Sequence, residues 1–257
     1  MIERSRVADL VSTRGRLSRA TVGNTVLAGV GLVALAVVWD GGPTTRFLLG
    51  TLTVLAIQFV VVRRTLVRAR LEAGPQPLTL ATWLTIARGS ALALLAGFVF
   101  VGPPAGTLAW VPGALFAIAA GLDAVDGVVA RRTDSVTEFG ARLDTEIDAL
   151  TVLCGASIVV LYGFAPAAFL AVGLARYAFV AGIAVRRRRG RSIQKLDRSP
   201  ARRFLGALAM AAIWLALLPN PGRTGSWLVT SAVLVPFLLQ FGRDWLVVSG
   251  RLEPRTD

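Results

Sequence analysis

Long uncharged stretches alternate with short polar or basic segments along the whole chain. Twenty uncharged residues separate Arg19 from Asp40, and thirty-four separate Arg88 from Asp123, interrupted by the letters GPPAG. A helix needs about 20 mostly apolar residues to cross a bilayer, and Gly and Pro end helices. The pattern therefore predicts an all-α, polytopic transmembrane helix bundle. Its eight predicted spans are residues 20–39, 47–62, 79–101, 107–125, 141–162, 166–185, 203–219 and 225–246.

The composition and charge also indicate an integral membrane protein. Hydrophobic residues make up 54% of the 257 positions, and the mean hydropathy is +0.65. The net charge is +13, and with both termini in the cytoplasm only Arg46 and Arg223 of the 28 Lys and Arg lie outside. Membrane insertion and anionic lipids select basic inner loops. We therefore expect this orientation in the cell membrane, contacts with membrane lipids, and no nucleic-acid partner.

The acidic residues are concentrated in one segment: seven of the 15 lie from Asp123 to Asp148. Asp123 and Asp126 fall at the inner end of the fourth span, and Asp144 and Asp148 in the first turns of the fifth. Spacings of three and four residues put each pair on one face of its helix. Four neighbouring carboxylates repel unless cations intervene, and oxygen ligands favour Mg²⁺ or Mn²⁺. The segment predicts a two-metal site that acts on phosphoryl groups and faces the cytoplasm.

Glycine and arginine residues in the same segment suit a phosphorylated ligand. Gly127 follows Asp126 directly, and Gly140 precedes Asp144 by four residues. A glycine has no side chain to keep a bulky ligand away from the backbone. Arg131 supplies a planar donor that fits phosphate oxygens.

Other interpretations of the acidic cluster remain open at this point. The aspartates could form a structural ion-pair network with Arg131, Arg132 and Arg142. They could bind a passing ion in a cation transporter, although such carboxylates are expected near the bilayer midplane rather than at the inner ends of helices. A prenyltransferase-like enzyme also needs aspartate clusters, but the intervening G-x2-A-R and Gly140 argue against it.

Eight residues of the segment read D-x2-D-G-x2-A-R-x8-G-x3-D-x3-D, which resembles the signature of the CDP-alcohol phosphatidyltransferases. The letters LTIARG at 84–89 are similar to the family's first-helix segment beside the nucleotide. The resemblance implies a six-helix core over residues 77–250. It leaves an N-terminal cytoplasmic segment, two spans and a basic linker at 1–76, and a tail at 251–257. The first two spans receive no role beyond anchoring or oligomer contacts, with a homodimer as one arrangement left open.

The resemblance implies transfer of a phosphatidyl-type group from a CDP-linked lipid to an alcohol acceptor, with release of CMP. The implied metal ligands are Asp123, Asp126, Asp144 and Asp148, with two Mg²⁺ or Mn²⁺ ions. The resemblance implies that Asp148, besides binding metal, accepts the proton of the attacking hydroxyl. The implied contacts with the CDP-lipid are Arg88, Gly127, Arg131, Thr137 and Gly140.

Further arginines predict where the acceptor binds. Arg176 lies deep in the sixth span and needs an anionic partner. Arg202 and Arg203 begin the seventh span and could complete a pocket with it. We therefore expect a phosphorylated acceptor such as glycerol phosphate or inositol phosphate. The run at 186–189 is interpreted instead as a topogenic patch that contacts lipid headgroups.

Overall fold

A computed structural model of the chain describes residues 2–74, 77–132, 137–194, 196 and 199–252; for residues 2–14 and 123–132 only the backbone is described. Over these residues the chain is helical and contains no strand, which confirms the all-α prediction. Eight helices of 18 residues or more follow one another. They are α1 (Ile2–Val38), α2 (Thr45–Ala73), α3 (Leu80–Gly97), α4 (Val111–Arg132), α5 (Glu138–Leu161), α6 (Leu170–Arg188), α7 (Pro200–Leu217) and α8 (Gly222–Val248).

Six helices of the described part are long and apolar enough to cross a membrane: α1 from Gly15 onward, α2, α3, α6, α7 and α8. The predicted polytopic membrane bundle is therefore confirmed. The other two helices, α4 and α5, carry the acidic cluster. In α5, charged residues shorten the apolar stretch. Before the cluster, the described apolar stretch is Gly106–Leu122, which is shorter than the six candidate spans. That these two helices also span the membrane stays a prediction.

Helix α2 continues well past its predicted end at residue 62 and stops at Ala73. Along this extension Val62, Leu66 and Ala69 are buried at helical spacing, while the arginines between them keep the outer face polar. Gly74 follows with a φ of 78°, a left-handed conformation that favours glycine and ends a helix. Most of the predicted basic linker is therefore part of α2.

The chain divides into two compact units, residues 1–151 and 152–257. In the first unit α3 packs against α1, α2 and α4. It is the most enclosed of the six apolar helices, since 72% of its most apolar stretch is buried against 11% for α1. Helix α3 is thus the centre of the first unit, and the predicted boundary at residue 76 falls inside that unit.

Glycines allow α1 and α2 to approach α3 closely. Gly23 of α1 lies directly against the ring of Trp83, so a Cβ at that position would collide with it. A Cβ at Gly97 of α3 would lie 2.5 Å from the ring of Phe47 on α2. Small residues permit such tight helix packing, which drives helix association inside a membrane. The N-terminal helix pair is therefore packed along α3 rather than merely tethered to it.

In the second unit α8 packs against both α6 and α7. Near the start of α8, Arg223 Nε donates to the carbonyl oxygen of Gly163 at 3.1 Å. This bond joins α8 to the turn that follows α5. The three helices α6, α7 and α8 also line a cavity that contains two of the predicted acceptor-binding arginines.

Candidate active site

Arg88 lies in the middle of α3 and is only 1% exposed. Its Nη1 donates to Asp144 Oδ1 at 2.7 Å, and its Nη2 donates to Asp148 Oδ1. A charged side chain inside a span is costly unless it is paired, and the planar guanidinium can serve two carboxylates at once. The fold therefore brings together three residues that lie in two separate segments of the sequence and that the sequence analysis had selected.

Asp144 and Asp148 lie one turn apart on α5 and present their carboxylates on the same face. Their side chains are 35% and 40% exposed, whereas the arginine between them is buried. A ligand can therefore reach the carboxylates from the open side. Arg88 balances one of their two negative charges, so the group attracts further cations.

The start of α5 is fixed by Thr137, whose Oγ1 accepts a hydrogen bond from the backbone N–H of Gly140 at 3.0 Å. This is a helix cap, which satisfies an N–H that has no partner within the helix. A Cβ on Gly140 would lie 3.0 Å from Thr137 Oγ1 and 3.5 Å from Thr82 Oγ1 on α3. Gly140 thus makes room for two hydroxyl groups at the point where α3 and α5 meet. The sequence analysis had given this glycine and Thr137 only a ligand-binding role.

The last turns of α4 carry Asp123, Asp126, Gly127 and Arg131, but the structure describes only the backbone of these residues. Among the side chains that are described, no three acidic, His or Cys residues come together as a metal site. The four-carboxylate site therefore stays a prediction, with Asp144 and Asp148 as its described half.

The described half fits a hard divalent cation. Asp144 and Asp148 offer oxygen donors on one helix face and are 35% and 40% exposed. Mg²⁺ and Mn²⁺ prefer such oxygen ligands. These two residues would hold the ions together with ligands from α4.

Arg142, which the ion-pair interpretation assigned to the aspartates, contacts two other acidic residues. Its Nη1 donates to Glu72 Oε1 at 3.2 Å and its Nη2 to Glu72 Oε2, while its Nε lies 3.3 Å from Glu138 Oε2. Both glutamates are more than half exposed and Arg142 is one third exposed, so these pairs add little stability. They do connect the end of α2 to α5 just before Asp144.

A cavity of about 210 Å³ in the second unit contains Arg176 and Arg202. Arg202 forms a two-pronged ion pair with Asp244 of α8, with Nε to Oδ2 at 2.7 Å and Nη2 to Oδ1 at 3.1 Å. Gln240 also donates to Asp244 Oδ1, at 2.9 Å. The cavity combines two cations, one carboxylate and an amide with apolar walls. These walls include Phe179, Leu205, Phe237 and Phe241.

The structure separates Arg203 from its predicted partners and adds a residue that the sequence analysis missed. Arg203 is exposed and does not line the cavity of Arg176 and Arg202. Asp244 does line it, and its side chain is only 11% exposed. The argument that selected Arg176, a charge within an apolar span, applies equally to Asp244 and would have found it.

The arginine run at the end of α6 borders a separate cavity of about 280 Å³. Arg186, Arg189, Arg191 and Arg251 all line it. Arg186 is held in place by Nη2 contacts to two carbonyl oxygens, that of Ser192 at 2.9 Å and one at 3.1 Å in the turn after α8. The predicted role of the run at 186–189, a patch for lipid headgroups, stays a prediction.

Of three comparisons with known proteins, one found a match. No curated protein and no solved structure matches the chain. A family model described as CDP-alcohol phosphatidyltransferase matches residues 78–238, which is more than half of the chain. That range includes α3 with Arg88, the whole acidic segment, and the helices that carry Arg176 and Arg202. The chain belongs to the CDP-alcohol phosphatidyltransferases, a family of membrane transferases that act in phospholipid synthesis.

Proposed function

We propose that the chain transfers a phosphatidyl-type group from a CDP-linked lipid to the hydroxyl of an alcohol acceptor and releases CMP. The hydroxyl oxygen bonds to the phosphorus nearest the lipid, while the bond from this phosphorus to the oxygen that CMP keeps is broken. The hydroxyl proton passes to a carboxylate. One observation carries the proposal: Arg88 contacts Asp144 and Asp148 inside the segment that matches the family.

Asp123, Asp126, Asp144 and Asp148 are the proposed ligands of two Mg²⁺ or Mn²⁺ ions. Bound there, the ions supply positive charge that stabilises the charge developing on the transferred phosphoryl group. The oxygen-only donor set supports this assignment, because Mg²⁺ and Mn²⁺ prefer oxygen ligands. The residues also lie within the family match, whose members generally depend on divalent metals.

Asp148 is the proposed proton acceptor, because the chain has no histidine and its acid–base groups at this site are carboxylates. Its side chain is 40% exposed, so a substrate hydroxyl can reach it from the open side. Arg88 is also a proposed contact of the CDP-lipid, whose diphosphate gives the guanidinium a further anionic partner.

The remaining proposed contacts with the CDP-lipid are Gly127, Arg131, Thr137 and Gly140. Thr137 Oγ1 accepts from the N–H of Gly140, so its hydroxyl hydrogen is the atom left to donate to the ligand. Arg131 donates to phosphate oxygens, and Gly127 allows the ligand to approach the backbone. Gly140 contributes by leaving room for the hydroxyl of Thr137 beside the ligand.

The test of the reaction is CMP release from a CDP-linked lipid by the purified protein, with Mg²⁺ or Mn²⁺ present and after chelation. Asp148→Asn is expected to fold normally and to lose nearly all turnover, because it removes the proton acceptor while keeping the side chain's size. The matched control is Glu146→Gln, which neutralises a carboxylate on the same helix outside the motif. If Asp148→Asn keeps the wild-type rate, the assignment of the base is wrong. A folded protein that binds no CDP-lipid contradicts the proposed reaction itself.

The acceptor is proposed to be a phosphorylated alcohol that binds in the cavity of Arg176 and Arg202. Two arginines among the described lining residues provide donors that suit phosphate oxygens, which supports an anionic ligand. Asp244 holds the guanidinium of Arg202 in one orientation through two hydrogen bonds, and Gln240 donates to the same carboxylate. Arg203, which is exposed, contributes attraction from outside the cavity rather than direct contact.

This assignment is tested by comparing glycerol phosphate, inositol phosphate, free inositol and serine as acceptors with one CDP-lipid. Arg176→Ala is expected to lower kcat/KM for the preferred acceptor by about tenfold or more, with the KM for the CDP-lipid nearly unchanged. Arg187→Ala, an exposed arginine on the same helix, is the matched control. Loss of CDP-lipid affinity in Arg176→Ala, or a preference for an unphosphorylated alcohol, contradicts the assignment.

The catalytic core is proposed to comprise residues 77–250, with the active site and both termini facing the cytoplasm. The concentration of Lys and Arg in the loops assigned to that side supports this orientation.

A further inference from the structure

We infer that the two N-terminal helices position Arg88 for the reaction through a buried chain of amide groups, Asn24–Gln58–Gly89. The inference rests on the proposed function of Arg88 and its two aspartates. In it, Gln58 is a positioning residue that acts through α3. Helices α1 and α2 precede the family match, which begins at residue 78. The inference gives both helices a part in catalysis.

The chain of amides crosses three helices. Asn24 Nδ2 on α1 donates to Gln58 Oε1 on α2 at 2.6 Å, and Gln58 Nε2 donates to the carbonyl oxygen of Gly89 on α3 at 2.8 Å. Gln58 is only 1% exposed although it lies in the middle of an apolar helix. A buried amide in a membrane span is costly without hydrogen-bond partners, and here both ends of the Gln58 amide have one.

The bond to Gly89 acts on the backbone immediately beside Arg88. Gln58 contacts the peptide carbonyl rather than a side chain, so it fixes the position of α3 itself at this level. A Cβ on Gly89 would lie 3.4 Å from both Asn24 Oδ1 and Gln58 Oε1, so the two amides pack directly against the backbone of α3 at this point. From that fixed position, the side chain of Arg88 reaches both Asp144 and Asp148.

The space around the amides is too small for a substrate. The cavity that Asn24, Gln58 and Gly89 line measures about 20 Å³, which is room for roughly one water molecule. Leu143 and Ile147 of α5 close it on another side. The polar residues at this place therefore serve helix positioning and not the binding of a ligand.

Helix α2 also contacts α5 near the aspartates. At its far end Glu72 pairs with Arg142, two residues before Asp144. One helix thus touches α3 beside Arg88 and α5 beside its partner carboxylate. A shift of α2 would change the distance between the two sides of the ion pair, and misplacements of about 1 Å can cost on the order of 10²-fold in rate.

The test is Gln58→Leu, which keeps the side chain's bulk, suits an apolar helix and removes both hydrogen bonds. We expect kcat for CMP release to fall by about tenfold or more, with the protein folded in detergent as judged by thermal unfolding. The matched control is Thr51→Val, a buried polar residue on the same helix whose hydroxyl bonds only within α2, at 3.1 Å to Phe47 O. It should leave the rate within about twofold.

A double-mutant cycle with Arg88→Lys separates positioning from general destabilisation. If Gln58 acts through Arg88, Gln58→Leu costs much less in the Arg88→Lys background than in wild type; a merely structural role gives additive losses. Wild-type kcat in folded Gln58→Leu, or additive losses, overturns the inference. If Gln58→Leu does not fold, Asn24→Leu takes its place on the same terms. An inactive wild-type protein would instead refute the proposed function, so the two failures are distinguishable.

Discussion

Replacing Arg88 by glutamine removes a buried cation that contacts two carboxylates of the proposed active site. Each hydrogen bond to a charged partner contributes roughly 1.5–3 kcal/mol net, so the two bonds together contribute roughly 3–6 kcal/mol. Asp144 and Asp148 are 35% and 40% exposed, and water screens them in part, which favours the lower end of this range. If the two bonds hold the carboxylates in their reactive geometry in the transition state, a loss of about 3 kcal/mol there corresponds to a loss on the order of 10²-fold in kcat/KM. Arg88→Lys keeps the charge but not the two-pronged donor, so we expect a smaller loss of about tenfold.

The measurement is CMP release from a CDP-linked lipid in detergent micelles at saturating metal, with folding checked by thermal unfolding. Arg64→Gln, which neutralises an exposed arginine on α2, is the matched control and should keep the wild-type rate. The reasoning is refuted if folded Arg88→Gln has a kcat/KM within about twofold of wild type. It is also refuted if Arg88→Lys is the more damaging of the two variants.

Three further outcomes can be measured. Asp244→Asn should raise the acceptor KM severalfold with little change in the CDP-lipid KM, because the loosened Arg202 loses its fixed orientation; an unchanged acceptor KM contradicts this. Gly97→Leu should lower the thermal unfolding temperature, because even the Cβ of the new side chain would lie 2.5 Å from a phenylalanine ring of α2. An unchanged unfolding temperature would show that the ring can move. With the single cysteine replaced, an impermeant thiol reagent should label a cysteine at Thr224 from outside and not one at Ser192; the reverse pattern inverts the proposed orientation.

The helical fold could be predicted because apolar runs of membrane-spanning length leave few alternatives. Helix ends were harder, and α2 is the clearest case. Because of the arginines after residue 62, the sequence analysis predicts a linker there. However, Val62, Leu66 and Ala69 repeat at helical spacing and are buried. A periodicity search across the charged residues would have extended the helix to Ala73.

The identities of the site residues were predictable, but their contacts were not. The motif selected Asp144 and Asp148, and the first-helix letters selected Arg88. That one guanidinium serves both carboxylates depends on the distance between α3 and α5, which tertiary packing sets. Gln58 and Asn24 were overlooked although both are polar residues inside apolar runs, where an amide needs a partner. Their partners lie on other helices, so spacing along the chain carries no sign of them.

The burial of α3 between its neighbours has a practical consequence for anyone who excises the family domain. Shared sequence begins at residue 78, whereas the compact unit that contains Arg88 begins at the N-terminus and ends at residue 151. A truncation at the start of the match would strip α1 and α2 from α3. It would expose glycine-lined surfaces to lipid and leave the Gly89 carbonyl without its amide donor. For this protein, the segment that matches the family and the segment that packs together around Arg88 are different pieces of chain.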